Sequence, residues 1–126
     1  MILKAVGTVL LSTALASAAQ LMLKQGLNAI SGRVSDGTGA LALLGVALQN
    51  PVVLLGILVY VLSAAMYMVG LARLDISVAF PIVGLSYAIV PAIAQVTMGE
   101  VIPTARWVGI ATICLGVAIV TITAAK

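Results

Sequence analysis

The stretch Ile76-Ser-Val-Ala-Phe-Pro-Ile-Val-Gly-Leu-Ser-Tyr-Ala-Ile-Val-Pro-Ala-Ile-Ala-Gln-Val-Thr-Met-Gly99 contains no charged residue. A helix needs about 20 apolar residues to traverse about 30 Å of hydrocarbon, and this run is long enough. Its apolar residues are continuous rather than alternating, so it reads as a helix and not as a barrel strand. Three other runs share the property: Ala5–Leu23, Pro51–Ala72 and Trp107–Ala125. The charges fall between them, at Lys24, Arg33 and Asp36, at Arg73 and Asp75, and at Glu100 and Arg106.

Composition agrees with lipid as the solvent. The chain has 126 residues, 63% hydrophobic and 7% charged. Its mean hydropathy is +1.32. Soluble domains carry about 25% charged residues. Six Lys or Arg and three Asp or Glu could not cover the surface of a soluble fold this size. The net charge of +3 is scattered, so no basic patch is present to grip nucleic acid. With no His and a single Cys, Cys114, the chain holds no disulfide framework and no histidine-based catalytic constellation. Its three acids are far apart in sequence, so no metal-ligand cluster and no catalytic residue presents itself, and no cofactor is implied.

The expected fold is therefore an all-α integral membrane protein with four transmembrane helices. The spans cover about 5–24, 51–72, 76–99 and 105–125 of a single domain, 1–126. The first run has a rival reading. Lys4, the apolar stretch and Ala14-Leu-Ala-Ser-Ala18 have the layout of a secretory signal peptide, but the apolar run continues through Leu23. Gln25–Gly39, with four Gly, two Ser, Asn28 and Asp36, reads as a polar turn region. Ala40–Leu48 is apolar but too short to cross, and Pro51 marks a break after it. We read it as a short interfacial helix between the first and second spans, with an extension of the second span as the alternative. Orientation is undetermined: Lys4, Arg73 and Lys126 on one side balance Lys24, Arg33 and Arg106 on the other.

Helices in lipid associate through small residues and polar contacts. Each span offers such a stripe at helical spacing: Thr13, Ala16/Ser17, Gln20 and Lys24; Gly56, Tyr60, Ser63, Tyr67 and Gly70; Ser77, Pro81, Gly84, Ala88, Pro91 and Gln95; Ala105, Gly109, Thr112, Gly116 and Thr123. Plain packing accounts for most of the small members. Gly109 and Gly116 form a helix–helix seam, within one chain or between two. The polar members point further. Gln20 and Gln95, both candidate substrate contacts, lie in apolar runs, where an amide needs partners. Lys24 lies one turn beyond Gln20 on the same face. With alternating spans, Lys24, Glu100 and Arg106 end on one side of the membrane. The simpler reading of that trio is a salt-bridged membrane edge. The functional reading is a site for an anionic headgroup whose lipid tail stays in the bilayer. Tyr60, Tyr67 and Tyr87 lie inside their runs, as packing residues or as further substrate contacts. Pro81 and Pro91 each remove a backbone donor. With Gly84 they make the third span the mobile element, Pro91 being the expected kink.

Three stretches carry a family resemblance: Ala18-Ala-Gln-Leu-Met-Leu-Lys-Gln-Gly26, Leu74-Asp-Ile-Ser-Val-Ala-Phe-Pro-Ile-Val-Gly-Leu-Ser-Tyr87 and Gly99-Glu-Val-Ile-Pro-Thr-Ala-Arg-Trp-Val-Gly-Ile-Ala-Thr-Ile-Cys-Leu-Gly116. In that order they resemble the four-helix, small-multidrug-resistance-like branch of the drug/metabolite transporter superfamily. Within it the chain is most similar to subunits of the aminoarabinose-phosphoundecaprenol flippase, with residues 28–48 outside the likeness. The resemblance implies a homodimer, or a heterodimer of unlike subunits, that moves a polyprenyl-phosphate-linked sugar across the bacterial inner membrane without catalysis. It implies substrate contacts at Gln20, Lys24, Glu100 and Arg106, and a dimer seam at Gly109 and Gly116. One departure matters. Small multidrug exporters carry a membrane-embedded glutamate in their first helix, and the matching position here is near Ala16. Without an acid in Ala5–Leu23, proton-coupled cation export lacks its titrating group. Cation export and a non-transporting scaffold remain the alternatives to a lipid flippase.

Overall fold

Four helices long and apolar enough to cross a membrane dominate the structure, a computed structural model that describes residues 1–34, 37 and 39–124. Ser35 and Asp36 of the expected turn region, Ala125 of the fourth run and Lys126 of the charge count lie outside the described residues. The elements are α1 (Ile2–Ile30), a 3-10 turn (Ser31–Arg33), α2 (Ala40–Ala47), α3 (Pro51–Leu71), α4 (Ile76–Val83), α5 (Ser86–Met98) and α6 (Thr104–Ala124). No strand occurs among the described residues. The all-α, four-span expectation is met, with α4 and α5 together forming the third span.

The first span runs further than the sequence reading placed it. Gly26 and Asn28 mimic a turn, yet α1 continues to Ile30 and tightens into the 3-10 turn only at Ser31. Tertiary packing overrides the local signal. Ile30 is buried with Ala47 and Val53, and Leu23 and Val46 pack against that cluster. Gly26 lies against Val53, close enough that a Cβ there would overlap its side chain. Lys24 consequently projects from within a helix, not from its end.

The segment after it does form a separate short helix, α2. It is not an extension of α3, because Asn50 caps α3. The Asn50 side-chain oxygen accepts from the Val52 and Val53 N–H groups at 2.9 and 3.4 Å, with Pro51 at the first helical position. That arrangement satisfies otherwise orphaned donors and starts a new helix axis.

The α1–α3 pair is the core of the molecule. Ala5, Ser12, Ala19 and Gly26 of α1 are buried, as are Gly56, Ser63 and Gly70 of α3. Each set repeats every seven residues, the spacing that keeps one seam of a helix facing its partner. The helices run antiparallel: Gly70 faces Ala5 and Val9, Gly56 faces Ala19 and Leu23, and Gly26 faces Val53. A Cβ on Gly56 would stand 3.3 Å from the Ala19 carbonyl oxygen, so bare glycine lets the backbones approach. This seam lies beside, and only partly overlaps, the stripe expected for span one, whose Gln20 and Lys24 are exposed.

Short hydroxyl side chains are satisfied within their own helices. Ser12 and Thr13 both donate to the Val9 carbonyl, Ser17 to Thr13 and Ser63 to Tyr60, at 2.6–2.8 Å. On exposed faces Thr97, Thr112, Thr121 and Thr123 do the same. Such back-bonding lets a hydroxyl sit in lipid without an outside partner.

The third span is interrupted at Gly84–Leu85, between α4 and α5. Leu85 N–H turns to the Ile82 carbonyl at 3.1 Å, and Tyr87 N–H to the Gly84 carbonyl at 3.0 Å, three-residue steps that break the α-helical ladder. Gly84 is required by space: a Cβ would come within 2.9 Å of the Pro81 carbonyl oxygen and 3.1 Å of Val117 on α6. Pro91, the expected kink, lies inside uninterrupted α5. The break of the span comes one turn after Pro81, at Gly84. Gly99, at φ 66 and ψ 24, ends α5 in the left-handed conformation that glycine adopts freely.

Helix α6 packs mainly against α4 and α5, and only 6% of its apolar span is buried. Gly109 and Gly116 have nothing within 4 Å of a would-be Cβ. Within the chain, then, they form no seam. Ala105, Thr112 and Thr123 of the same stripe are likewise exposed.

Candidate functional site

Two cavities lie along the α1 face that carries residues 12, 13, 16, 20, 21 and 24. The first, of about 290 Å³, is lined by Gln20, Leu21 and Lys24 of α1, Val90, Pro91 and Ala94 of α5, Glu100 and Ile102 of the α5–α6 linker, and Arg106 of α6. Gln20, Lys24, Glu100 and Arg106, far apart in sequence, therefore converge on one hollow. Each is exposed. Among the described residues no Lys or Arg nitrogen lies within 4.0 Å of a carboxylate oxygen, so the trio is not a salt-bridged edge.

Local structure explains the placement. Gln20 and Lys24 are four apart on α1 and stack on one face. Gly99 turns the chain out of α5, and Ile102, 8% exposed, pins the following linker against the bundle. Glu100 lies between these two anchors. Arg106 sits in the first turn of α6, where its N–H donates to the Pro103 carbonyl at 2.9 Å. The positive end of the α6 dipole thus borders the same hollow as two cationic side chains. Pro91 on the wall offers no N–H to the Tyr87 carbonyl one turn back.

The second cavity, of about 220 Å³, sits at mid-depth. Ser12, Thr13 and Ala16 of α1, Tyr60, Ser63, Ala64 and Tyr67 of α3, and Phe80 and Val83 of α4 line it. It contains no acid. Ala16, which the resemblance aligns near the exporters' glutamate, does face a cavity, but as an alanine. Tyr67 carries the one buried side-chain polar atom without a hydrogen-bond partner among the described residues, its hydroxyl. The ring holds that hydroxyl too far from its own backbone for the short-range bond that serves Ser and Thr.

The remaining expected site residues go elsewhere. Tyr60 and Tyr67 belong to the mid-depth cavity, not to the charged one. Tyr87, 62% exposed, and Gln95, also exposed, line neither. Ile102, Ala94, Val90 and Leu21 were missed in sequence because apolar residues in an apolar chain carry no distinguishing signal. The Ser12, Thr13 and Ser63 hydroxyls gave a weak one, as polar atoms inside charge-free runs.

No family model and no solved structure matches the chain. A curated protein does: the probable 4-amino-4-deoxy-L-arabinose-phosphoundecaprenol flippase subunit ArnF of Sodalis glossinidius (strain morsitans) is 37% identical over 119 residues. The match takes in 90% of this chain and 88% of that relative, so it extends beyond the three stretches that first suggested it. Identity at that level along nearly the whole of both chains is a relationship of entire four-span folds and not of a shared motif, and on that basis the chain belongs to the ArnF family of flippase subunits.

Proposed function

We propose that the chain is a non-catalytic transport subunit that moves undecaprenyl-phosphate-linked aminoarabinose between leaflets of the bacterial inner membrane. The observation that carries the reading is the convergence of Gln20, Lys24 and Arg106 on a hollow whose other walls are Leu21, Val90, Ala94 and Ile102. Lys24 and Arg106 supply charge-assisted donors to a phosphate, and Gln20 adds an amide donor. The apolar walls accept the first isoprene units while the rest of the chain stays in lipid. The mid-depth cavity continues along the same face of α1 and gives the headgroup a place to pass. The interrupted third span borders both cavities, through Phe80 and Val83 of α4 and Val90 and Pro91 of α5, and is the element that rearranges.

The exposed α6 face is where a second four-helix chain packs, either a copy or an unlike subunit. The acid-free mid-depth cavity argues against proton-coupled cation export, which needs a titrating group there. The test is lipid translocation in proteoliposomes, with the chain alone and with co-purified four-helix subunits. Lys24→Ala and Arg106→Ala each slow translocation about tenfold or more, the value of one charge-assisted hydrogen bond. Translocation no faster than in protein-free liposomes, in either preparation, overturns the reading.

A further inference from the structure

The charged hollow is not a plain anion site. Its wall carries Glu100 alongside Lys24 and Arg106. A carboxylate beside a phosphate site repels the ligand's charge, so for phosphate alone Glu100 works against binding. Yet the fold holds it there. Gly99 turns the chain at φ 66, buried Ile102 fixes the other side, and among the described residues no cation within 4.0 Å neutralises Glu100. The two cations come from α1 and α6, while the acid comes from the linker between α5 and α6. The hollow thus presents both signs of charge from separate elements, a pattern complementary to a headgroup that carries both.

We propose that Glu100 is a specificity-determining residue: it takes the ammonium of an aminosugar whose phosphate is held by Lys24 and Arg106. This rests on the lipid-linked aminosugar reading above and deepens it. A 4-amino sugar on a phosphate is zwitterionic, and its amine satisfies the carboxylate that a neutral sugar leaves unpaired. The same carboxylate disfavours lipids with a second phosphate or an acidic sugar. Selection therefore comes from a matched contact for the correct headgroup and a repulsive one for the wrong one.

Binding to the purified protein, with and without a co-purified four-helix subunit, tests this. Four probes are compared: undecaprenyl phosphate, its arabinose derivative lacking the amine, the aminoarabinose derivative, and the last with its amine acetylated. The wild-type chain prefers the free-amine lipid over the acetylated and amine-free ones by about tenfold or more, as one charge-assisted contact dictates. Glu100→Gln removes that preference without weakening undecaprenyl phosphate, and Glu100→Asp keeps part of it. The acetylated probe needs no variant, so the idea stays testable even where Glu100→Gln fails to fold. A wild-type protein that binds all four lipids alike overturns the role of Glu100. So does a Glu100→Gln protein that keeps the preference or loses every lipid equally. Failure of the wild-type protein to bind any of the four overturns the underlying transport reading as well, and the two failures are distinct.

Discussion

Tyr67 and Asn50 show how far a single residue's chemistry can be followed. In lipid every polar atom needs a partner, and the Ser and Thr hydroxyls find one a turn back along their own helix. The Tyr67 hydroxyl is buried without a partner among the described residues. Removing a buried unsatisfied group relieves a desolvation cost, so Tyr67→Phe should raise stability by about 1 kcal/mol. Thermal unfolding in detergent measures this. The same substitution should slow lipid translocation, because that hydroxyl is a free donor on the mid-depth cavity. A rise in stability together with a loss of transport separates a functional donor from a packing residue. Asn50 is the opposite case: both of its acceptor bonds serve the start of α3. Asn50→Ala should cost about 1 kcal/mol in the same unfolding measurement, and leave headgroup binding intact.

Elements here are joined by missing side chains. The α1–α3 seam depends on Gly26, Gly56 and Gly70, and at Gly70 a Cβ would stand 2.5 Å from Val9, which is fully buried and β-branched. Val9 has no rotamer freedom with which to yield. Gly70→Ala should therefore lower the unfolding temperature markedly, in the range of about 1–3 kcal/mol seen for overpacking. Gly109 and Gly116 make the contrasting prediction. With open space around each, Gly109→Leu and Gly116→Leu should leave the isolated chain folded. They should weaken its pairing with a second four-helix chain, read by cross-linking in membranes. At Gly84 the two effects meet, since the break between α4 and α5 and the close approach of Val117 both need the absent Cβ.

At the scale of the whole molecule, the balance of charge across the membrane is even enough to be tipped. Adding cations at Ala72 and Asp75, where the Asp75 side chain makes no cap bond, should hold both ends of the described chain in the cytoplasm. Labelling of a cysteine introduced near residue 4, from either side of the membrane, checks this. How much of the molecule was legible beforehand follows from the same physics. Four charge-free runs determined the class, the number of spans and the all-helical fold, because lipid leaves a chain few other ways to satisfy its backbone. Charge placement marked Lys24, Glu100 and Arg106, and the absence of an acid near Ala16 was visible from residues alone. What sequence could not determine is rotation and reach. These spans are apolar all round, so the periodicity that marks the inner face of a soluble helix is missing. Only packing decided that Gly56 and Gly70 face inward while Gly109 and Gly116 face out. Packing also carried α1 past Gly26, moved the break of the third span to Gly84–Leu85, and gave Tyr67 a cavity separate from that of Lys24. Each of these depends on which surfaces of distant helices meet, and that is settled by close approach at glycine and by burial of Ile30, Val53 and Val9, not by any residue's own propensity.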